Sequence, residues 1–333
     1  MKLKISLVIP SYNPGSSLNY LFENIKNWTA YPSEIILIDS SITRPEISEN
    51  FKMFLDKETI SFKEIFDENL FPGKARNIGI KDSSYETVAF LDVLTIPPRD
   101  WLKENYEKLT QLNIDGVWGS TSYDASLYFT KIVRACTYGV LPIRTLPGSI
   151  LKKSVFESSG LFIETTRAGE DADWIERVKL HRLPLSDSSQ TLSYIGLENI
   201  KFIDLIKKWH RNYFFSSKLP YLTPHKDIYF YFAALFMIVL AFNWNTLSYD
   251  PAMNGWNTAS FAYIPNVTKI SILFFTFFYI TVRGIYLPLK KGINIMFILV
   301  NLPAILFISL ILDFVKSLAF LTSRMLLKKS DSN

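Results

Sequence analysis

The sequence changes character near residue 225, and this break limits what the chain can fold into more than any single motif does. Residues 228–249 run for 22 positions without a charged side chain. Residues 270–289 hold one charge, Arg283, close enough to the end to snorkel, and residues 292–312 are uncharged but interrupted by Pro303. Each stretch reaches the length needed to cross a hydrocarbon core. The reading is about three transmembrane helices. The short link holding Lys290 and Lys291 belongs on the cytoplasmic side, and the link 250–269, with its single lysine, belongs outside. Three spans leave the basic end "RMLLKKSDSN" on the outer side, against the charge rule. The last segment can instead re-enter at Pro303, or Leu312–Leu327 can lie along an interface.

Before the break the chain is mixed and charged. The whole sequence of 333 residues is 48% hydrophobic and carries a net charge of +5, with many of its cations beside the apolar segments. Placed there, lysines and arginines suit anionic headgroups better than nucleic acid. A single cysteine, Cys136, excludes a disulfide framework, and three histidines make a histidine-built metal site improbable. "MKLKISLVIPSYN" meets Pro10 too soon to be a secretory signal, so the N-terminal part is expected to stay in the cytoplasm.

Short β-branched runs punctuate residues 1–180: "ISLVIP" (5–10), "EIILID" (34–39), "ISFKEIF" (60–66), "TVAFLD" (87–92) and "GVWGSTSY" (116–123). Between the first two, Leu18, Leu21, Phe22 and Ile25 recur at helical spacing after Ser16 and Ser17. "GKARNIGIKDS" (73–83) reads as a loop entering a helix, and "GEDADW" opens another helix at Glu170, with Trp174, Ile175 and Val178 on its buried face. Alternation of this kind predicts an α/β fold, a mostly parallel Rossmann-like sheet with helices on both faces. Ligands of such sheets sit at the carboxyl ends of the strands, where Asp39 and Asp92 fall. "NIKFIDLIKKWHRNYFF" (199–215) is a basic, aromatic amphipathic helix that either lies in the membrane interface or packs on the preceding domain. The divisions expected are 1–198 for that domain, 199–222 for the amphipathic linker, 223–327 for the membrane region and 328–333 for a polar tail.

Five segments in order, "SLVIPSYNPGSSL", "EIILIDSS", "GKARNIGI", "AFLDVLTIPPRDWL" and "GEDADWIERV", resemble the family 2 glycosyltransferases. The resemblance covers more than half the chain. It implies a GT-A fold, a nucleotide-sugar donor and, with the apolar tail, an acceptor that is a lipid-linked saccharide or a cell-surface polysaccharide. By the same resemblance Asp39 contacts the edge of the nucleotide base. Asp171, the second acid of the "ED" pair, takes the acceptor's proton as general base.

The residues themselves allow these roles and others. Pro10, Tyr12 and Asn13 end the first strand where the chain turns beneath a base, or simply make a strand-to-helix turn. Asp39 can instead cap the segment beginning at Ser40. Lys74 and Arg76 suit a diphosphate, or form a structural ion pair; Asn77 is assigned to holding the loop. Crowding of Glu170, Asp171 and Asp173 raises a carboxyl pKa while a helix N-terminus lowers it, and sequence does not rank the two. Glu170, Trp174 and Arg211 are the acceptor and loop candidates. Arg211, in "WHR", reaches donor phosphate or a membrane surface.

The unusual position is Leu94. GT-A enzymes commonly clamp Mg2+ or Mn2+ with an Asp-x-Asp, and here the sequence gives Asp92-Val93-Leu94. Leucine cannot ligate a hard cation. Three outcomes follow: a metal held by Asp92, water and phosphate oxygens; Lys74, Arg76 or Arg211 in its place; or binding without turnover. The retained acidic pair, basic segment and Asp92 favour an active, membrane-anchored inverting glycosyltransferase with its catalytic domain cytoplasmic. Rival readings are a polyprenyl-phosphate sugar synthase, whose ionised acceptor needs no base, and a non-catalytic membrane scaffold that binds a nucleotide sugar.

Overall fold

A computed structural model describes residues 1–222 and 244–330 of the chain. The N-terminal part is built on one curled sheet. Its strands are β1 (Lys2–Ser11), β2 (Tyr31–Asp39), β3 (Ser61–Phe66), β4 (Thr87–Phe90), β5 (Thr95–Ile96), β6 (Gly116–Tyr123), β7 (Ile143–Lys152), β8 (Leu185–Asp187) and β9 (Leu192–Tyr194). The order across the sheet is β3-β2-β1-β4-β7-β6-β9-β5, with β8 also beside β6. The half β3-β2-β1-β4 is parallel, as the alternating pattern predicts. Beyond it the sheet is mixed, because β7 runs antiparallel to both β4 and β6, and β5 runs antiparallel to β9. β7 is absent from the sequence reading. Pro147, Gly148 and Ser149 break its apolar run, and a register shift opposite Val117/Gly119 absorbs them.

Helices cover both faces. On one side α1 (Ser17–Ile25), α2 (Glu49–Lys57) and α4 (Trp101–Gln111) bury Leu18, Phe22, Phe51 and Trp101 against the strands. Phe22 and Phe51 stack at 3.9 Å between ring centres. On the other side lie α3 (Pro72–Asp82), α6 (Lys153–Ser159) and α7 (Glu170–His181), separated in sequence by α5 (Tyr128–Cys136). This layer buries Ile80, Phe156, Trp174 and Val178 with Val8, Ile38 and Phe90. Fully burying such a side chain contributes on the order of 2 kcal/mol, so each face of the sheet has an ample core. α3 lies very close to the sheet: a Cβ at Gly79 would stand 2.4 Å from Val8 Cγ1. The helix expected to follow a loop within 73–83 begins already at Pro72, since proline at the first helical position gives up only an N–H that has no partner there.

α8 (Phe202–Ser216) follows and packs on the C-terminal region. Leu205 joins Ile132 and Val133 of α5 and Ile298, Ile305 and Leu312 of a long helix, Ile295–Ser330, in a third apolar cluster. Two helices among the described residues are long and apolar enough to cross a membrane, Val267–Lys290 and Ile295–Met325, rather than the three expected. The first expected span, 228–249, lies outside the described residues up to 243. Its remainder forms a 3-10 turn, Trp244–Ser248, leading into a small hairpin. Pro303 sits inside the continuous long helix and does not turn it back. Arg283 does not snorkel. It stands in a π-helical stretch, Ile280–Tyr286, and grips Asp313 with two hydrogen bonds of 2.8 Å. The loop 290–294 docks on the segment after α5, where the N–H groups of Val140 and Leu141 donate to Lys291 O at 3.0 and 3.3 Å.

Candidate active site

β4 ends at Phe90, and the chain turns at once: the N–H and Oγ1 of Thr95 both donate to Asp92 O, at 2.9 and 2.6 Å. That turn leaves the Asp92 carboxylate at the carboxyl edge of the sheet, beside α3. Arg76, on the buried side of α3, sends Nη2 to Asp92 Oδ1 at 2.9 Å and Nη1 to Glu170 Oε1 at 2.5 Å. Glu170 is the first residue of α7, so one guanidinium ties the sheet edge to the helix that carries the acidic pair. Burial opposes the charge on Arg76, but Asp92, Glu170 and Asp171 outweigh it and raise its pKa. Glu170 is pushed up to about 7, first by burial and then by Asp171, with Arg76 offsetting only part. Asp173 takes no part in that crowding. It pairs instead with Arg177, one turn further along the helix, at 3.1 Å.

Two hollows lie near this bridge. The first, of about 210 Å³, is lined by Pro10, Tyr12, Ser40, Phe71, Arg76 and Asp92, with Arg167 entering from the loop before α7 and Arg211 from α8. The Arg167 guanidinium stands 5.0 Å from the Tyr12 ring centre. Among the described residues neither Arg167 nor Arg211 forms an ion pair with a carboxylate. Burial, then the neighbouring Arg167, lowers the Arg211 pKa. The second hollow, of about 340 Å³, is lined by Tyr138, Gly169, Asp171, Trp209, Asn212 and Tyr213. Trp209 meets Tyr138 edge-on at 6.1 Å and Tyr213 at 5.8 Å. Asp171 accepts the Ala172 N–H at 2.8 Å through Oδ1.

The residues expected at the site are thus sorted. Pro10, Tyr12, Arg76, Asp92 and Arg211 share the first hollow, and Asp171 lines the second. Asp39 is fully buried and engaged by Ser41, whose N–H and Oγ donate to it at 3.0 and 3.2 Å; its neighbour Ser40 lines the hollow instead. Asn13 is in the left-handed region, φ 47°, and donates its N–H to Ser41 Oγ, which shapes the turn. Lys74 is exposed on α3 and does not line the hollow. Glu170 is buried against Arg76. Trp174 is a core residue, fully buried, with Nε1 donating to Gly160 O at 2.8 Å and its ring stacked on Phe156. Asn77 holds the loop over α3 through hydrogen bonds to Phe162 and Glu164. Arg167 and Tyr138 are absent from the sequence reading. Arg167 had one available signal, its place three residues before the acidic pair; Tyr138 had none.

Among the described residues Asp92 is the one carboxylate lining the first hollow; its Oδ1 is bonded to Arg76 and position 94 offers leucine, so the protein could give a divalent cation a single carboxylate oxygen there, with the remaining ligands coming from water and phosphate.

The mixed sheet, with the charged hollow at its carboxyl edge, is that of a GT-A glycosyltransferase domain. Residues 6–158 match the family model described as "Glycosyl transferase family 2", so the chain carries a glycosyltransferase domain of that family's type. Two relatives agree. Glycosyltransferase AglE of Haloferax volcanii is 25% identical over 226 residues, 62% of this chain and 71% of AglE. An uncharacterized glycosyltransferase of Rickettsia bellii is 28% identical over 185 residues, 50% of this chain, and the chain spans only 25% of that relative's length. Among solved structures, mannosyltransferase PcManGT from Pyrobaculum calidifontis, determined with GDP-Man and Mn2+, shares the fold. Its TM-score is 0.51 at 14% identity, over 95% of this chain and 87% of that one.

Proposed function

We propose that the protein is a membrane-anchored inverting glycosyltransferase that moves a sugar from a nucleoside-diphosphate sugar to a saccharide borne on a lipid or a cell-surface polysaccharide. The observation that carries this reading is the pair of hollows beside the acidic helix start, one lined by Arg76, Asp92, Arg167 and Arg211 and the other by Asp171 with Tyr138, Trp209 and Tyr213. Two cations without carboxylate partners face the first, which suits a diphosphate. Aromatic rings and one carboxylate line the second, which suits a sugar ring and its attacking hydroxyl.

In the proposed step the acceptor hydroxyl gives its proton to Asp171 as its oxygen bonds to the anomeric carbon. The bond from that carbon to the nucleoside diphosphate breaks on the opposite face, and the anion departs against Arg167 and Arg211. Arg76 keeps Asp92 fixed and holds Glu170 beside the base. A divalent cation, where bound, would neutralise the same diphosphate charge; with the donor set described above, the two arginines fill that role. The 267–290 and 295–325 helices, with apolar side chains such as Leu273, Phe277 and Phe307 turned outward, support anchoring. The loop 290–294 lies on the domain side of both helices, in keeping with a cytoplasmic catalytic domain.

The test is nucleotide release by the full-length protein, given a panel of nucleotide sugars and a membrane-lipid acceptor extract. Release that depends on acceptor and is abolished in Asp171→Asn supports the assignment. Equal release in wild type and variant removes Asp171 as the base.

A further inference from the structure

A third hollow, of about 350 Å³, lies away from the two described, where α5 and the loop after it meet the start of the long helix. Its lining is two-sided in chemistry. Lys131 and Arg134, one turn apart on α5, supply cations, while Val140, Ile293 and Phe297 supply apolar surface. No carboxylate lines it, and among the described residues neither cation forms an ion pair. Arg134 Nη1 donates to Tyr123 O at 3.2 Å, but its Nε is buried without any hydrogen-bond partner. The remaining lining residue at the cation side, Asn294, caps the long helix: its Oδ1 accepts the Met296 N–H at 2.8 Å, so the helix's positive end also faces this corner.

Location decides the ligand. The hollow sits at the loop joining the two apolar helices, which on the membrane-anchored reading proposed above, on which this inference rests, is where chain leaving a bilayer meets the catalytic domain. We propose that it binds the phosphate group of an anionic membrane lipid, with Lys131 and Arg134 on the phosphate and the Val140–Ile293–Phe297 surface against the first carbons of the lipid. The shared chemistry, a phosphate oxyanion on a guanidinium and an ammonium, also admits free phosphate. This site goes beyond the transferase reading and uses none of its residues. Its consequence is positional: a lipid held there seats the catalytic domain at a fixed height on the bilayer.

The experiment counts lipids bound to the full-length protein in neutral detergent by native mass spectrometry. Phosphatidylglycerol is titrated against phosphatidylcholine, with and without millimolar inorganic phosphate. Wild type is expected to retain one phosphatidylglycerol about tenfold or more tighter than phosphatidylcholine. Lys131→Gln and Arg134→Gln each lose that preference, and Lys131→Arg keeps it. Donor binding and unfolding temperature serve as the folding control. Lys131 is exposed and anchors nothing, so its variant tests the site even where Arg134→Gln does not fold. Inorganic phosphate that binds, is lost in the variants and is not displaced by phosphatidylglycerol would assign the site to free phosphate and overturn the lipid source. Equal retention of both lipids, or variants that hold phosphatidylglycerol like wild type, would overturn the site itself.

Discussion

Arg76 holds Asp92 and Glu170 together, its two terminal nitrogens 2.9 and 2.5 Å from their carboxylate oxygens. The strand-end aspartate that a GT-A enzyme commonly gives to a metal is here given first to an arginine, opposite the leucine at 94.

Removing that arginine leaves two carboxylates facing each other without a cation. Arg76→Met is expected to cost about 3–5 kcal/mol, the range seen when one partner of a buried pair is deleted. Arg76→Lys keeps the charge but cannot reach both acids in bidentate fashion, so it should fall between. Chemical denaturation of the detergent-solubilised protein measures both; a loss under 1 kcal/mol for Arg76→Met would show that the bridge contributes little.

Donor affinity should rest on Arg167 and Arg211. Arg167→Gln and Arg211→Gln are each expected to weaken nucleotide-sugar binding by about tenfold, with unfolding temperature little changed, since neither residue forms an ion pair with a carboxylate among the described residues. Titration calorimetry reads this directly. Lys74→Gln, altering an exposed side chain outside the hollow, should change affinity less than twofold.

Chelator separates the arginine route from a metal route. With Asp92 engaged and Leu94 beside it, donor binding is expected to persist in excess EDTA, within about threefold of its value with Mn2+. A loss beyond tenfold that Mn2+ restores would assign the diphosphate to a cation after all.

Glu170 makes stability fall as pH rises. Its folded pKa of about 7 lies above the model-compound value of 4.5, so the folded state holds the proton more tightly. Between those values the unfolded state binds fewer protons, and the slope of stability with pH is negative. Glu170→Gln, which cannot ionise, removes this slope. The wild type's unfolding free energy relative to the variant, from chemical denaturation, should therefore decline from pH 4.5 to pH 7, by roughly 3 kcal/mol at most. A difference that stays flat or grows over this window would contradict the assignment.

Much of the framework is legible because strand and helix periods survive in the parallel half. "ISLVIP" and "EIILID" are buried on both faces and read as nearly continuous apolar runs, while "ISFKEIF" supplies the half-buried edge strand and shows its β pattern through Ile60, Phe62 and Ile65. β7 is not legible, because it is recognised by its neighbours β4 and β6 and its own pattern breaks at Pro147. At the site, Asp92, Arg76 and Asp171 lie in motifs whose spacing survives in sequence. Arg167 and Tyr138 are brought in by loops whose path depends on packing. Trp174 shows the converse: beside an acidic pair it suggests a ligand contact, yet its indole fills the core against Phe156 and Trp118.

The third apolar cluster sets a practical boundary for anyone cutting this chain. α5 and α8 meet the long C-terminal helix through Ile132, Val133, Leu205 and Trp209, and Gly139 approaches Lys291 so closely that a Cβ there would stand 2.5 Å from its carbonyl oxygen. A fragment ending at residue 222 would keep the sheet, the bridge and both hollows, yet lay that apolar side bare to solvent. Such a fragment should self-associate, seen as a shift to larger species by size-exclusion chromatography. The catalytic half of this protein is therefore expected to be handled in detergent even when the membrane half is of no interest.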